Sequence, residues 1–376
     1  MTRTTFNPAF SCWYLFPWPG VPLNQVGLCL VTRVYFVITS VSHPSATTTP
    51  AVRYVYDVAP QIPTLVFSVA YYAIAAAGLG ALLLYENRTK KFEDSGLDTQ
   101  SSLRGGMELG TYLFLGNAFQ VFGLRTVPSD RAAFLLQLTT IFVPFLQAIL
   151  AGSLKRISNR VWLASGTALA GVAVISLDGA KGTATTSALD QWTFSGGDAL
   201  IVAAAVLYTF HCVRLELYAQ TTSAVRLALT KAVTEMSWSL VAALCLVFLC
   251  SSMEPPPESS PDSILSTCVT SGESIKSFVS SFAETVQTAD GSNAGLLAAG
   301  AATTWIGLIT VAYTICAQSY GQKYVKAATA NLIYTIQPLY TAFFAWILLG
   351  ETLGPLGYTG GAIILSAVLL VAVEEQ

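Results

Sequence analysis

The stretch "FQVFGLRTVPSDRAAF" at residues 119–134 lies, after a shift of 198 residues, over "AQSYGQKYVKAATANL" at 317–332. Gln120 meets Gln318, Gly123 meets Gly321, Arg125 meets Lys323, Val127 meets Val325 and Ala132 meets Ala330. In the same register Phe145 meets Phe343, Ile149 meets Ile347 and Gly152 meets Gly350. With four extra residues in the first copy's hairpin, Gly166 then meets Gly360 and Val174 meets Val368. Apolar helices match by chance, but amide, glycine and basic positions do not readily fall into one register. The chain therefore carries an internal repeat.

Composition says what kind of repeat it is. Only 11% of the 376 residues are charged and 53% are hydrophobic, whereas about a quarter are charged in soluble domains. So few charges cannot cover a water-facing surface of this size, so the chain reads as an integral membrane protein. Apolar runs able to cross ~30 Å of hydrocarbon predict helices near 64–85, 108–126, 131–151, 161–177, 196–218, 226–250, 294–317, 327–349 and 355–373. Residues 26–42, "VGLCLVTRVYFVITSVS", are a weak tenth candidate interrupted by Arg33. The expected fold is all-α, with ten (at least nine) transmembrane helices in two inverted five-helix repeats. Five crossings are an odd number, so the second copy must enter from the opposite face, and the first copy needs the 26–42 segment as its first helix. Inverted repeats with a mid-membrane site between them are typical of secondary transporters.

The expected organisation is an N-terminal segment at 1–63, a first repeat at 64–180, and a second repeat at 196–376 carrying a long acidic loop at 251–293. Residues 1–56 hold no Asp or Glu and many Ser and Thr, so they read as a first helix, a transit segment or a gene-model error. Within the long loop, Ile275, Phe278, Val279, Phe282 and Val286 recur at helical spacing, which suggests an amphipathic helix on the membrane face or a disordered loop. Lys and Arg concentrate in alternate loops, at Arg88, Lys90, Lys91, Arg104, Lys155, Arg156, Arg160, Arg226, Lys323 and Lys326. By the positive-inside rule those loops and the C-terminus are cytosolic or stromal, and the acidic loop lies opposite. A plastid membrane and that of another organelle both fit this reading.

"AYTICAQSYGQKYVKAATANLIYTIQPLYTAFFAWILLGETLGPLGYTGGAIILSAVLL" at 312–370 closely resembles the second EamA repeat of the drug/metabolite transporter superfamily. "FGLRTVPSDRAAFLLQLTTIFVPFLQAILAGSLKRISNRVWLASGTALAGVAVISLDG" at 122–179 resembles the first. The resemblance implies a ten-helix carrier of small metabolites that needs no catalytic residue, cofactor or metal. The chain departs from the pattern at Ser153, where such repeats often carry Glu, and in its amino-terminal helix. Glu351 ends the apolar run "FFAWILLG" beside Pro355, at the N-terminus of the next helix, where negative charge is favoured. It reads as a hairpin residue ahead of a transport role.

Polar groups inside a bilayer need partners or water. Gln137, Thr140, Pro144 and Gln147 fall on one face of helix 131–151. Asn331, Tyr334, Thr335 and Pro338 fall on the corresponding face of helix 327–349. Pro144 and Pro338 are expected to break their helices and free the carbonyls of Thr140 and Tyr334. Asn117, Gln120 and Gln318 add amides from the neighbouring helices, and Tyr208 and His211 lie on helix 196–218. These residues line the expected solute pathway, or else hold helices together. Glu235 is the candidate for proton coupling, unless it merely pairs with Lys231 one turn before it.

The rival reading is an intramembrane enzyme. Asp57 in "YVYD" and Asp198 in "SGGD" share part of the GxGD pattern of intramembrane aspartyl proteases, but Ser195 stands where glycine is needed. Two histidines, His43 and His211, do not suggest a metal site. A non-transporting scaffold or sensor is a third reading. The expected partners are a small-molecule solute and the lipid bilayer, with a homodimer compatible with the fold and no nucleic acid.

Overall fold

The computed structural model of the chain describes residues 62–89, 96–127, 129–153, 157–180, 195–248, 264–287, 294–340, 343 and 354–372. The weak 26–42 helix, Asp57, Pro128 and Glu351 lie outside the described residues. Within them all regular structure is helical: α1 (Thr64–Thr89), α2 (Gly96–Gly123), α3 (Ser129–Leu136), α4 (Thr139–Leu150), α5 (Asn159–Ala180), α6 (Gly196–Thr221) and α7 (Ala224–Phe248). They are followed by α8 (Ile264–Gln287), α9 (Ala294–Trp305), a π-helical segment (Ile306–Tyr313), α10 (Thr314–Gly321), α11 (Ala327–Tyr334) and α12 (Pro355–Ala372). Five described spans are long and apolar enough to cross a membrane: Thr64–Arg88, Arg131–Leu150, Gly196–Thr221, Ala224–Phe248 and Ala299–Gly321.

The outward faces explain where this bundle lives. Leu84, Leu163, Phe248 and Leu369 are each more than 60% exposed, while Lys231 and Glu235 are fully buried. Large apolar side chains outside and charges inside reverse the pattern of a water-soluble core. The chain is an all-α multi-pass membrane protein.

The repeat is visible in the backbone. α3 stops at Leu136 and α4 resumes at Thr139; α11 stops at Tyr334 and the helix resumes at 337. Those breaks fall 198 residues apart, the spacing of the sequence match. Both are tightened turns: Leu138 N donates to Leu135 O (3.2 Å) and Ile141 N to Leu138 O (3.0 Å), while Ile336 N donates to Ile333 O (3.1 Å) and Leu339 N to Ile336 O (2.9 Å). The second break follows from Pro338, whose ring displaces the Tyr334 carbonyl from its usual bond. The first copy has no proline there. Thr140 occupies the position equivalent to Pro338, and its hydroxyl turns back onto the Gln137 carbonyl. Pro144, expected to break its helix, lies within the unbroken α4.

Helix pairing follows the same two-fold logic. α1 packs on α7, and α5 packs on α12; in each pair a helix of the first half meets its own counterpart. The contact of α2 with α7 is mirrored by that of the π segment with α1. Glycines set the closest approaches. A Cβ on Gly106 would stand 2.4 Å from Thr230 Cβ, and one on Gly110 would stand 3.0 Å from the Lys231 carbonyl oxygen. On the other side of α2, a Cβ on Gly123 would stand 2.9 Å from the Gly197 carbonyl. α2 is thus wedged between α6 and α7. In the α5–α12 pair, a Cβ on Gly360 would stand 2.6 Å from the Gly171 carbonyl.

Two sequence expectations are revised. The helix predicted from 108 begins at Gly96, twelve residues earlier by the numbering. Its polar first turns are held to α7 rather than by apolar burial: Arg226 Nη1 donates to Thr99 Oγ1 (3.0 Å) and Thr230 Oγ1 to the Ser102 carbonyl (2.9 Å). The amphipathic helix of the long loop exists as α8, but its Ile275 face packs on α7, with Gly272 tight against the Leu246 carbonyl.

Candidate functional site

Lys231 and Glu235 lie one turn apart on α7, at 0% and 2% exposure. Bare charge in hydrocarbon costs several kcal/mol on insertion scales, so each must find partners, and each finds its own. Lys231 Nζ donates to His211 Nε2 (2.9 Å) and to Gln318 Oε1 (3.4 Å). An ammonium has no acceptor, so His211 must accept through Nε2, which leaves its ring proton on Nδ1. Glu235 accepts from the Tyr72 hydroxyl of α1 through Oε2, while its buried Oε1 has no partner. The two charges are therefore held by separate groups, within electrostatic reach of each other.

The cluster draws on both halves. Tyr72 comes from the first; Lys231, Glu235, His211 and Gln318 come from four positions on α6, α7 and α10 in the second. The π segment contributes to this placement. Gly307 lets it lie against Ile74 and the Tyr71 carbonyl, and its wider turn rotates everything after it. Gln318 ends against Lys231, whereas Gln120, its counterpart, ends against Tyr208.

Beside the cluster, the buried Tyr334 hydroxyl faces Gln318 without closing a hydrogen bond. Asn331, one turn earlier on the same face of α11, is buried with its Nδ2 unpaired. The Tyr208 hydroxyl lies 2.7 Å from Asn117 Oδ1 and 2.8 Å from Gln120 Oε1. It can donate to only one at a time, and turning either amide would let its NH2 donate back. The structure thus joins His211 and Gln318 through Lys231, with Tyr334 adjoining, sets Glu235 one turn away on Tyr72, and joins Asn117, Gln120 and Tyr208 into a second network. It does not bring in three other residues. Thr140 and Thr335 spend their hydroxyl protons on the carbonyls of Gln137 and Leu332. Gln137 is half-buried at the first break, and its side chain has no hydrogen bond among the described residues.

Gln147 has a structural task that its sequence did not suggest. Its Nε2 donates to Glu216 Oε2 (2.5 Å), and its Oε1 accepts from Ala328 N (3.2 Å), while the same Glu216 oxygen accepts from Ala327 N (2.8 Å). Lys326, the N-cap of α11, supplies no side-chain bond, so Glu216 of α6 and Gln147 of α4 cap that helix from outside it. A second missed group is Glu108. Arg214 grips it bidentately at 2.6 and 2.8 Å, and Tyr218 donates to it at 2.6 Å. Arg214 and Glu216 both sit inside an apolar span, the one sequence signal by which they could have been found.

Asp198 accepts from Ser195 N and Oγ (2.7 and 2.9 Å) and from Arg131 Nη2 (2.8 Å), which makes it a helix cap and ion-pair partner. No cluster of three or more metal-ligating side chains occurs among the described residues.

The EamA-like transporter model matches residues 195–373. A curated relative, the permease-like protein YdzE of Bacillus subtilis (strain 168), is 33% identical over 72 residues, which are 19% of this chain and 92% of that protein. The chain belongs to the EamA-like transporter family. A solved crystal structure shares its fold, with a TM-score of 0.61 at 15% identity over 92% of this chain and 98% of the other. The family match spans the helices that carry Lys231, Glu235, His211 and Gln318, so every member of the buried cluster except Tyr72 lies in the matched residues.

Proposed function

We propose that the protein is a secondary transporter that moves a small polar metabolite by alternating access between its two halves, holding the solute at the Lys231–Glu235 cluster. The observation that supports this reading is the burial of two opposite charges in a membrane-spanning helix, each bound to other side chains and not to the other. Helix packing alone does not require that expense. A site for a polar solute does, because the solute must exchange its water for hydrogen-bonding groups. The unpaired Glu235 Oε1, Asn331 Nδ2 and Tyr334 hydroxyl provide capacity for it. The interrupted helices at 137–138 and 335–336 supply the bending that access from alternate sides demands. No catalytic group or cofactor is invoked. By loop charge the C-terminus lies on the cytosolic or stromal side.

The test is uptake of a labelled metabolite mixture into sealed proteoliposomes containing the pure full-length chain. Solute-specific flux that is lost in Lys231→Met, at normal yield of folded protein, is the expected outcome. Absence of flux for every metabolite class would leave a scaffold or sensor instead.

A further inference from the structure

We infer that the groove between α2 and α6 holds one anionic phospholipid of the leaflet that meets the α6–α7 turn, with the lipid phosphate on Arg214. The inference does not depend on the solute. Val206, Phe210 and Leu217 are exposed along one stripe of α6, and Arg214 lies on that stripe. In a membrane protein such a stripe faces lipid, where a charge must find partners. Arg214 is 37% exposed and Glu108, its partner on α2, 26%. α6 has 26 residues, about 39 Å at 1.5 Å per residue, so it outruns ~30 Å of hydrocarbon at both ends. Arg214 lies two turns before the end of α6 at Thr221. Its Cα therefore sits roughly 6 Å below the headgroups, a depth that an arginine side chain spans.

Hydrogen bonds decide the chemistry of the occupant. Glu108 Oε1 accepts from Arg214 Nε (2.6 Å) and from the Tyr112 hydroxyl (3.2 Å). Its Oε2 accepts from Arg214 Nη2 (2.8 Å) and from the Tyr218 hydroxyl (2.6 Å). The carboxylate is filled and has nothing left for a cationic ligand. Arg214 Nη2 also donates to the Tyr218 hydroxyl (3.0 Å), so both of its protons are spent. Nη1 keeps two N–H donors with no acceptor among the described residues, and a guanidinium cannot shed its charge. Those donors call for an anionic oxygen, and phosphate fits the arginine fork. Arg104 adds a second cation: it is exposed on α2 one turn from Glu108, level with Tyr218, whose ring packs against Gly105. Arg104 and Arg214 against Glu108 leave the groove with a net positive charge. Deeper in the membrane the Tyr112 and Phe210 rings stack at 5.9 Å beside the exposed Leu115, a floor for acyl chains. A phospholipid supplies both the phosphate and the chains, whereas free phosphate would have to give up water to reach Arg214.

The test uses the purified full-length protein, stripped of lipid in detergent, with thermal stabilisation read against added probe. The probes are phosphatidylglycerol, phosphatidylcholine and diacylglycerol with the same short acyl chains, and inorganic phosphate. Phosphatidylglycerol is expected to act at a concentration about fivefold below phosphatidylcholine, the factor that one net positive charge supplies near a membrane surface. Phosphatidylcholine is expected to act about tenfold below diacylglycerol, which lacks the phosphate. Equal midpoints for phosphatidylglycerol and either other lipid overturn the inference, and so does equal stabilisation by inorganic phosphate, which would make this a free-anion site. Arg104→Gln cancels the net charge and should bring the ratio of phosphatidylglycerol to phosphatidylcholine close to unity. The double variant Arg214→Leu/Glu108→Leu removes the ion pair without leaving a lone charge, and should erase the advantage of phosphatidylcholine over diacylglycerol. A native ratio retained by either variant overturns the inference. If the double variant does not fold, Arg104→Gln and the ratios on the native protein decide. Stripped protein that scatters light as two chains, and as one chain in the double variant, would place a second copy in the groove and overturn the lipid assignment.

Discussion

Substituting Gly106 with alanine tests whether α2 is truly wedged against α7. The new Cβ would stand 2.0 Å from Thr230 Oγ1, 2.4 Å from Thr230 Cβ and 2.8 Å from the Thr230 carbonyl carbon. Ordinary carbon contacts lie near 3.5–4.0 Å. Rotating Thr230 can remove only the first clash, so the helices must part by roughly 1 Å at this level. Overpacking of this kind costs about 1–3 kcal/mol. Parting also weakens the bond from Thr230 to the Ser102 carbonyl (2.9 Å), a loss of about 0.5–1.5 kcal/mol. Alanine returns about 1 kcal/mol of helix propensity. The net expectation is a loss of roughly 1–3 kcal/mol. Gly80→Ala is the matched control, since nothing lies within 4 Å of its Cβ and the position is helical; it should gain about 0.4–1 kcal/mol. The assay is thermal unfolding in detergent of both variants, together with the double variant Gly106→Ala/Thr230→Gly, which removes the blocking side chain and should recover part of the loss. Equal melting of Gly106→Ala and Gly80→Ala would refute the close packing.

Four further outcomes are expected. Gln147→Leu should destabilise by about 1–3 kcal/mol, because Ala328 N–H and Glu216 lose their partner, whereas Gln137→Leu should be near neutral; equal melting temperatures would contradict the assigned cap. Tyr72→Phe leaves Glu235 without its hydroxyl donor and should lower both melting temperature and flux, with unchanged values counting against the contact. Asn331→Leu removes a buried unpaired NH2 and should leave stability equal or higher while solute affinity falls; loss of stability with intact affinity would make it a packing residue. Asn87, in the sequon Asn87-Arg88-Thr89, should stay unglycosylated in a secretory membrane while an engineered sequon near Ser259 is modified, and the reverse pattern would invert the orientation.

The sequence made the repeat legible because small, amide and basic residues keep their register through two copies, and the structure breaks both copies at that register. Helix ends were legible where apolar runs ended, and not at α2, whose polar first turns are held by Arg226 and Thr230 from a distant helix. The site was half legible. Glu235, His211 and Gln318 were visible as polar groups in apolar runs, but Tyr72 was not, since a tyrosine in a helix of this composition looks like any packing residue. Proline position misled at Pro144, which lies within an unbroken helix, since the first copy breaks at the register of Thr140, the position that carries Pro338 in the second. Gln147 and Glu216 could not be paired from sequence, since their meeting depends on three helices converging at the start of α11.

Glycine contact between α2 and its neighbours limits which parts of the molecule can move. Backbones that approach closely through glycine on both sides leave no room between α2 and α6 or α7 for a side chain, so the proposed alternating access would be expected to carry these three helices together as one block. α5 and α12, joined at Gly171 and Gly360, form another. What remains able to bend are the two helices whose hydrogen-bond ladders are already interrupted, each carrying its hinge at the same position of the repeat. Lys231 and Glu235 ride on the rigid block, while Asn331 and Tyr334 sit on the hinged arm. Under the proposed alternating access, a swing of that arm would carry an amide and a phenol toward or away from the pair of charges, and would first have to strain the bond from Ala327 N to Glu216 of α6.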